Sequence, residues 1–172
     1  MQPAQDVSRQ QAMRGFCPPQ TSARMMIKPA NIKDLQSAIR DSKTPIEGVD
    51  LSALDQLIEH VPEDMTATVQ AGMTLRNFQT QLAKRSQWLP IDPPNTEVSI
   101  ADLLGQNLSG PRRFGCGMLR DWLIGISMVL PDGRLIRNGG KVVKNVAGFD
   151  LCKLFIGSRG ALGVVVEATF KL

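Results

Sequence analysis

Apolar residues recur along the chain in short alternating or helical periods, which predict many brief elements rather than a few long ones. Alternation predicts strands at residues 66–71 and 124–130, and a β-branched run predicts a buried strand at 164–170. Shorter apolar segments predict strands at 23–28 and 46–51. The Pro131-Asp132-Gly133 turn predicts a hairpin between 124–130 and 134–137.

Four short polar residues predict helix starts, because their side chains accept hydrogen bonds from the first free amides of a helix. These caps are Asn31 (helix to about residue 41), Thr74 (helix through 82), Ser99 (short helix through 104) and Asp150 (short helix to 155). Residues 52–55 begin a short helical or bent piece, 61–64 form a turn and 107–117 form a loop.

Helices alternate with strands early in the chain, whereas hairpins dominate later. This order predicts an α+β domain of two small subdomains, with mixed or antiparallel sheets flanked by short helices and a cleft between them. The subdomains are expected at about 23–60 and 61–172, after a disordered tail at 1–22 that is rich in Gln, Ser and Pro. A single doubly wound sheet is the alternative.

The chain of 172 residues is long enough for one domain with a real core, and no apolar run is long enough to span a bilayer. The N-terminus lacks the continuous apolar stretch of a signal peptide, so we expect a cytoplasmic protein without membrane insertion. Cys17, Cys116 and Cys152 fit no zinc or disulfide spacing, which agrees with a reducing compartment.

The net charge of +4 is unevenly distributed. From Gly110 onward ten Lys and Arg stand against four Asp and Glu, whereas the first 109 residues carry ten against twelve. Nucleic-acid binding usually adds aromatic or repeated basic patterning, and here tyrosine is absent and the basic residues stand among glycines. A small anionic ligand is therefore the better interpretation, and a merely solvated basic face is the alternative.

Two regions combine open backbone with polar or basic side chains. The first joins the rigid Pro93-Pro94 pair to the helix that Ser99 caps, whose N-terminus could face an anion, although a well-capped helix and its exit loop explain the same residues. The second region begins at Gly139 and carries glycines near its end that let backbone approach a flat or anionic ligand. Its cations are Lys141, Lys144 and Arg159, and ordinary loop geometry is the alternative.

The Arg112-Arg113 pair suits phosphate or carboxylate, although such a pair in a Gly/Pro loop is more often solvent-facing than ligand-bound. His60 is the single histidine, so no Ser/His/Asp, Cys/His or metal cluster can be built around it, and we expect it to be structural or exposed. The chain has no P-loop and no G-x-G-x-x-G motif. We assign no catalytic residue, and if the chain belongs to an enzyme, a bound organic cofactor must perform the difficult step.

Residues 131–172, read with NLSGPRRFGCGMLRD and QWLPIDPP, resemble the FAD-binding domain of vanillyl-alcohol oxidase / p-cresol methylhydroxylase-type flavoproteins. They most closely resemble the FAD-binding subunit of bacterial glycolate oxidase, and the likeness runs from about residue 23 to 172. The resemblance implies FAD in an extended pose between the small sheets. It also implies two partners, a larger flavin subunit and an iron–sulfur subunit.

The resemblance further implies a set of cofactor contacts by motif position. These are Pro93 and Pro94 along the flavin or its linker, Ser99, Ile100, Ala101 and Asp102 at a turn, Asn107, Ser109 and Gly110 after it, Lys144 and Asn145 near the flavin, and Gly160, Val164 and Val165 near the chain end.

The chain departs from the family pattern in two places. The first helix runs almost directly into residues 46–50, so the glycine-rich pyrophosphate loop is missing, and Ala101-Asp102 replaces a glycine pair. Each charge-assisted hydrogen bond lost this way would be worth about 1.5–3 kcal/mol. The chain also stops at Leu172, where the family usually continues into a substrate or cap domain.

Two functions remain open from the sequence. The first is a flavoprotein module that takes part in oxidising a 2-hydroxy acid to a 2-oxo acid and passes electrons to partner subunits. The second is a cofactor-free remnant or scaffold that keeps the fold and a partner-binding face. A basic nucleic-acid module is the weakest alternative.

Overall fold

A computed structural model describes residues 25–42, 46–140 and 150–172. The tail predicted at 1–22, with Cys17, and the candidates Lys141, Lys144 and Asn145 lie outside the described residues. Within the described ranges the chain forms short strands and helices, in the order β1 (Met25–Ile27), α1 (Ile32–Asp41), β2 (Ile46–Val49), β3 (Leu57–Val61), β4 (Thr66–Gln70), α2 (Leu75–Ala83), α3 (Ile100–Gly105), α4 (Arg113–Cys116), α5 (Leu119–Trp122), β5 (Leu123–Val129), β6 (Leu135–Gly139), α6 (Leu151–Phe155) and β7 (Val164–Lys171).

The smaller sheet pairs β1 and β2 in parallel, with α1 as the connection between them. Leu35 and Ile39 on α1 are buried, as its apolar face requires. Gln36 Nε2 on the same helix donates to the carbonyl of Gly133 at 2.9 Å. This contact fixes α1 to the turn between β5 and β6, so the small sheet is held against the large one.

The larger sheet is antiparallel, with the strand order β3-β4-β7-β5-β6. β7 lies at its centre and buries Val166, Ala168 and Phe170. α2 packs its buried face on this strand, and the ring centroids of Phe78 and Phe170 are 5.7 Å apart. The final strand of the chain therefore organises the main core.

The predicted helix caps are confirmed by hydrogen bonds. Asn31 Oδ1 accepts from the Asp34 amide at 2.9 Å, and the Thr74, Ser99 and Asp150 side chains accept from the amide three residues later in the same way. The antiparallel larger sheet and the separate small sheet confirm the α+β fold with two sheets, and the alternative of one doubly wound sheet is wrong.

Three local expectations need correction. β3 was not predicted, because this edge strand is only partly buried along most of its length and lacks a clear alternation; its pairing with β4 forms it. Because β3 belongs to the large sheet, the chain leaves the small sheet between Val49 and Leu57, earlier than the expected boundary near residue 60. The loop predicted at 107–117 contains the one-turn helix α4, and α5 follows directly; single turns of four residues leave no periodic signal.

Candidate functional site

A cleft of about 960 Å³ lies between the small sheet and the large sheet, within the size range of about 300–1,000 Å³ common for small-molecule sites. α1 and β2 contribute residues from the small sheet, and β5, β7 and α3 contribute residues from the larger unit. Its apolar lining can enclose a flat ring and includes Ile39, Ile46, Val49, Leu51, Val129, Leu130, Val164 and Val165.

The glycine loop, residues 157–163, lines part of the cleft. The amide of Gly157 donates to the carbonyl of Leu104 at 2.9 Å, and the amide of Arg159 donates to the carbonyl of Gly105 at 3.0 Å. These bonds seat the loop on the C-terminal end of α3. Gly160 has a φ of 80°, and apart from its chain neighbours no atom of the described residues lies within 4 Å of the position that a Cβ would take there. Its backbone is therefore open to a ligand in the cleft.

The described residues that line the cleft include two charged side chains, Asp102 and Arg159. Asp102 is exposed, and its Oδ2 accepts a hydrogen bond from Ser99 Oγ at 2.7 Å. Arg159 is also exposed and has the left-handed φ of 51°. Among its described lining residues, the cleft thus offers one cation and one anion.

The first amides of α3 are already engaged within the protein. Ile100 N donates to the carbonyl of Met73 at 2.9 Å, and Ala101 N donates to the carbonyl of Ala71 at 2.7 Å. Asp102 N donates to the Ser99 hydroxyl oxygen at 3.1 Å. These three amides therefore cannot donate to an anion at the N-terminus of the helix.

The connection between β2 and β3 is a closed turn. Asp50 Oδ1 accepts from the Ser52 amide at 2.9 Å, and the Leu54 amide donates to the Leu51 carbonyl at 2.7 Å. Gly72 N then donates to the Leu54 carbonyl at 2.9 Å and attaches the turn to the large sheet. The amide of Ser52, its hydroxyl and then Lys28 lower the pKa of Asp50 to about 2.

The first candidate region forms a separate cluster near Asp92. Pro93 is buried and Pro94 is exposed. Gly110 lies so close to Asp92 that a Cβ would collide with the Asp92 backbone carbonyl. Arg112 donates through its amide to Asp92 Oδ1 at 3.1 Å. The segment around Asp92 and the loop around Gly110 and Arg112 are therefore packed directly against each other.

Both arginines of the Arg112-Arg113 pair make contacts within the protein. Arg112 Nε lies 3.6 Å from Asp92 Oδ2, and its guanidinium carbon lies 4.7 Å from the centroid of the Trp88 ring. The guanidinium carbon of Arg113 lies 5.0 Å from the centroid of the Phe114 ring, and Phe114 is 85% exposed. Arg112 thus serves the packing of its own loop.

Asn107 connects the Asp92 cluster with the cleft. It follows α3 with a left-handed φ of 52°, and its Cβ lies 3.7 Å from the position of a Cβ at Gly157. Asn107 therefore contacts the start of the glycine loop, while Gly110, three residues on, contacts Asp92.

The structure brings together only part of the predicted site. Five predicted contacts line the cleft, namely Ala101, Asp102, Gly160, Val164 and Val165. Ser99 and Ile100 begin α3 beside it, Pro93, Pro94 and Gly110 belong to the Asp92 cluster, and Asn107 and Ser109 lie between the two. The wall formed by α1 and β2 was not predicted; their apolar faces were visible in the sequence, but no local signal assigns such a face to a ligand rather than to the core.

His60 and Cys152 are titratable groups that do not line the cleft. His60 Nε2 lies 2.6 Å from Gln87 Oε1, and Gln87 Nε2 donates to the carbonyl of Pro62 at 2.8 Å, so the imidazole joins β3 to the segment after α2. Burial raises the pKa of the Cys152 thiol to about 11.

Comparison with known proteins places these features in a family. Residues 36–139, from α1 through β6, match the family described as FAD binding domain. The chain is 40% identical over 120 residues to glycolate oxidase subunit GlcD of Bacillus subtilis, covering 69% of this chain and 26% of that protein. It is 33% identical over 132 residues to glycolate oxidase subunit GlcE of Escherichia coli, covering 74% of this chain and 38% of that protein.

Among solved structures, the fold is similar to alkyldihydroxyacetonephosphate synthase, with a TM-score of 0.72 and 19% identity over 85% of this chain and 31% of that one. The chain therefore spans only about a quarter to two fifths of the relatives that it matches. No helix in the described ranges has the length and apolar character needed to cross a membrane. The chain belongs to the FAD binding domain family, whose cofactor is FAD, and it has the vanillyl-alcohol oxidase / p-cresol methylhydroxylase-type fold.

Proposed function

We propose that the chain is the FAD-binding module of a glycolate oxidase-like dehydrogenase of 2-hydroxy acids, of the GlcE type. The observation that carries the proposal is the cleft between the two sheets, with its apolar wall and its open Gly160. The curated relatives named as glycolate oxidase subunits support the same assignment. FAD would supply the electron acceptor for oxidation of the hydroxy acid to a 2-oxo acid.

The residues of the cleft suit part of an extended cofactor. Ile46 and Val49 on one side and Val164 and Val165 on the other can sandwich a flat ring. Gly160 allows backbone to approach without a side chain in between. The remaining contacts that we propose are Pro93, Pro94, Ser99, Ile100, Ala101, Asp102, Asn107, Ser109, Gly110, Lys144 and Asn145.

We also propose that the module works in the cytoplasm with a larger flavin subunit and an iron–sulfur subunit, to which it passes electrons. Exposed apolar side chains around the Arg112–Arg113 loop support the proposal that a partner subunit covers this surface. Trp88 is 47% exposed, Phe114 85% and Met118 44%. Large apolar side chains that cluster on a surface mark interaction sites more often than isolated ones do.

A cofactor-free scaffold subunit is the second candidate, and a specific observation favours it. The first three amides of α3 bond within the protein, and the turn between β2 and β3 is closed by its own hydrogen bonds. These positions supply no cradle of amides for a diphosphate. A scaffold would keep the fold and bind its partner subunits without any flavin.

Titration of the purified protein with FAD separates the two candidates. We expect saturable quenching of flavin fluorescence, and we expect Gly160→Leu to remove it because the new side chain would occupy the cleft. Ser86→Leu is the matched control, since Ser86 also has a positive φ of 56° but is exposed and does not line the cleft. Folded wild-type protein that binds no FAD yet recovers the partner subunits in a pull-down would establish the scaffold instead.

A further inference from the structure

Among the described residues that line the cleft, Arg159 is the one with a positive charge. Its amide donates to Gly105 O at 3.0 Å, which fixes the backbone on α3, while its side chain remains exposed at the cleft. The left-handed φ of 51° is unfavourable for a residue with a Cβ and favours glycine. An arginine held at a strained position on a ligand-sized cleft points to a function for its side chain.

The guanidinium of Arg159 can bind an anion, as far as the described part of the chain shows. No described carboxylate forms an ion pair with it, whereas Arg76 pairs with Glu97 at 2.6 Å and Arg134 with Asp132 at 2.6 Å. An exposed guanidinium next to bare glycine backbone offers a planar fork that matches phosphate oxygens.

The first three amides of α3 do not compete for this role. The amides of Ile100, Ala101 and Asp102 are bonded internally, and Asp102 adds a negative charge to the lining. A diphosphate entering the cleft would therefore find Arg159 as the positive group among the described lining residues.

We propose that Arg159 binds the diphosphate of the adenine-dinucleotide cofactor. Its guanidinium does so in place of the backbone amides of α3, which are engaged within the protein. This inference rests on the proposed function. The Arg159 side chain supplies charge rather than a fixed set of donors, so the affinity for the diphosphate depends on ionic strength. The negative charge of Asp102 lowers this affinity.

The test compares dissociation constants for FAD, ADP and riboflavin, measured by fluorescence or calorimetry at low and high salt. Arg159→Gln removes the positive charge and keeps a side chain with a similar preference against the left-handed backbone. Arg159→Lys retains the positive charge. Arg85→Gln is the matched control, because Arg85 is exposed, does not line the cleft and changes the net charge by the same amount. Thermal unfolding checks that every variant folds.

We expect Arg159→Gln to weaken FAD and ADP about tenfold and to reduce the salt dependence of both. Arg159→Lys should recover part of the affinity, Arg85→Gln should bind like wild type, and riboflavin should bind equally to all. Equal FAD affinity in Arg159→Gln and wild type would overturn the role of Arg159 and leave the proposed function intact. Wild-type protein that binds neither FAD nor ADP would overturn both.

Discussion

Two glycines of the same loop should lose different amounts of stability when one methyl group is added to each. At Gly160 the φ of 80° imposes the left-handed cost on alanine, about 1–2 kcal/mol, and the space beyond is open. At Gly163 the φ of 147° costs about 1–3 kcal/mol, and the Cβ would lie 2.6 Å from the Val129 carbonyl oxygen. Forcing that contact apart adds about 1–3 kcal/mol.

Gly160→Ala should therefore lower the free energy of unfolding by about 1–2 kcal/mol, and Gly163→Ala by about 2–6 kcal/mol. For a chain of this length each kcal/mol corresponds to about 2–4 °C in the melting temperature. Urea unfolding followed by circular dichroism measures both values. Gly115→Ala is the control, because its Cβ would also meet open space, but on the helix α4. Equal destabilisation by the alanines at 160 and 163 would refute the open cleft at Gly160.

Two further predictions concern titratable groups. The pKa of Asp50 lies at about 2, below its ordinary 3.8, so the carboxylate stabilises the fold above about pH 4 and this contribution disappears as the pH falls towards 2. Asp50→Asn should thus be less stable than wild type at pH 7, with a difference that shrinks in acid; a difference constant with pH in chemical unfolding would contradict this. With a thiol pKa of about 11, buried Cys152 should resist iodoacetamide in the native protein at pH 8, whereas exposed Cys116 should react. Peptide mapping by mass spectrometry checks this, and equal labelling of the two cysteines would be the contrary result.

The sequence predicted the features that depend on near neighbours. A helix cap is a bond between residues three positions apart, so Asn31, Thr74, Ser99 and Asp150 could be assigned from local pattern alone. The buried final strand was equally clear, because it fills the centre of the larger sheet and its apolar run is correspondingly strong.

The site depends on contacts between distant residues, and here the sequence was less informative. Whether the amides of α3 are free is decided by the carbonyls of Ala71 and Met73, which lie almost thirty residues earlier. Arg112 is exposed but bound to its own loop, because Asp92, twenty residues away, accepts its amide hydrogen bond and lies 3.6 Å from its Nε. Neither partner can be identified from the sequence around the loop itself.

The energetics of the cleft explain why one side chain can decide whether the cofactor binds. Micromolar affinity requires about −8 kcal/mol. One aromatic ring that buries about 150–250 Å² of apolar surface between the two walls gains about 4–6 kcal/mol. A charge-assisted hydrogen bond to Arg159 adds about 1.5–3 kcal/mol, which brings the sum close to that threshold before the loss of translational freedom is counted. A cradle of free amides would add binding free energy beyond this threshold. In this cleft the α3 amides are engaged, so little binding free energy remains beyond it. In the role that we propose for Arg159, its charge adds to the contacts outside the cleft in setting how tightly FAD binds.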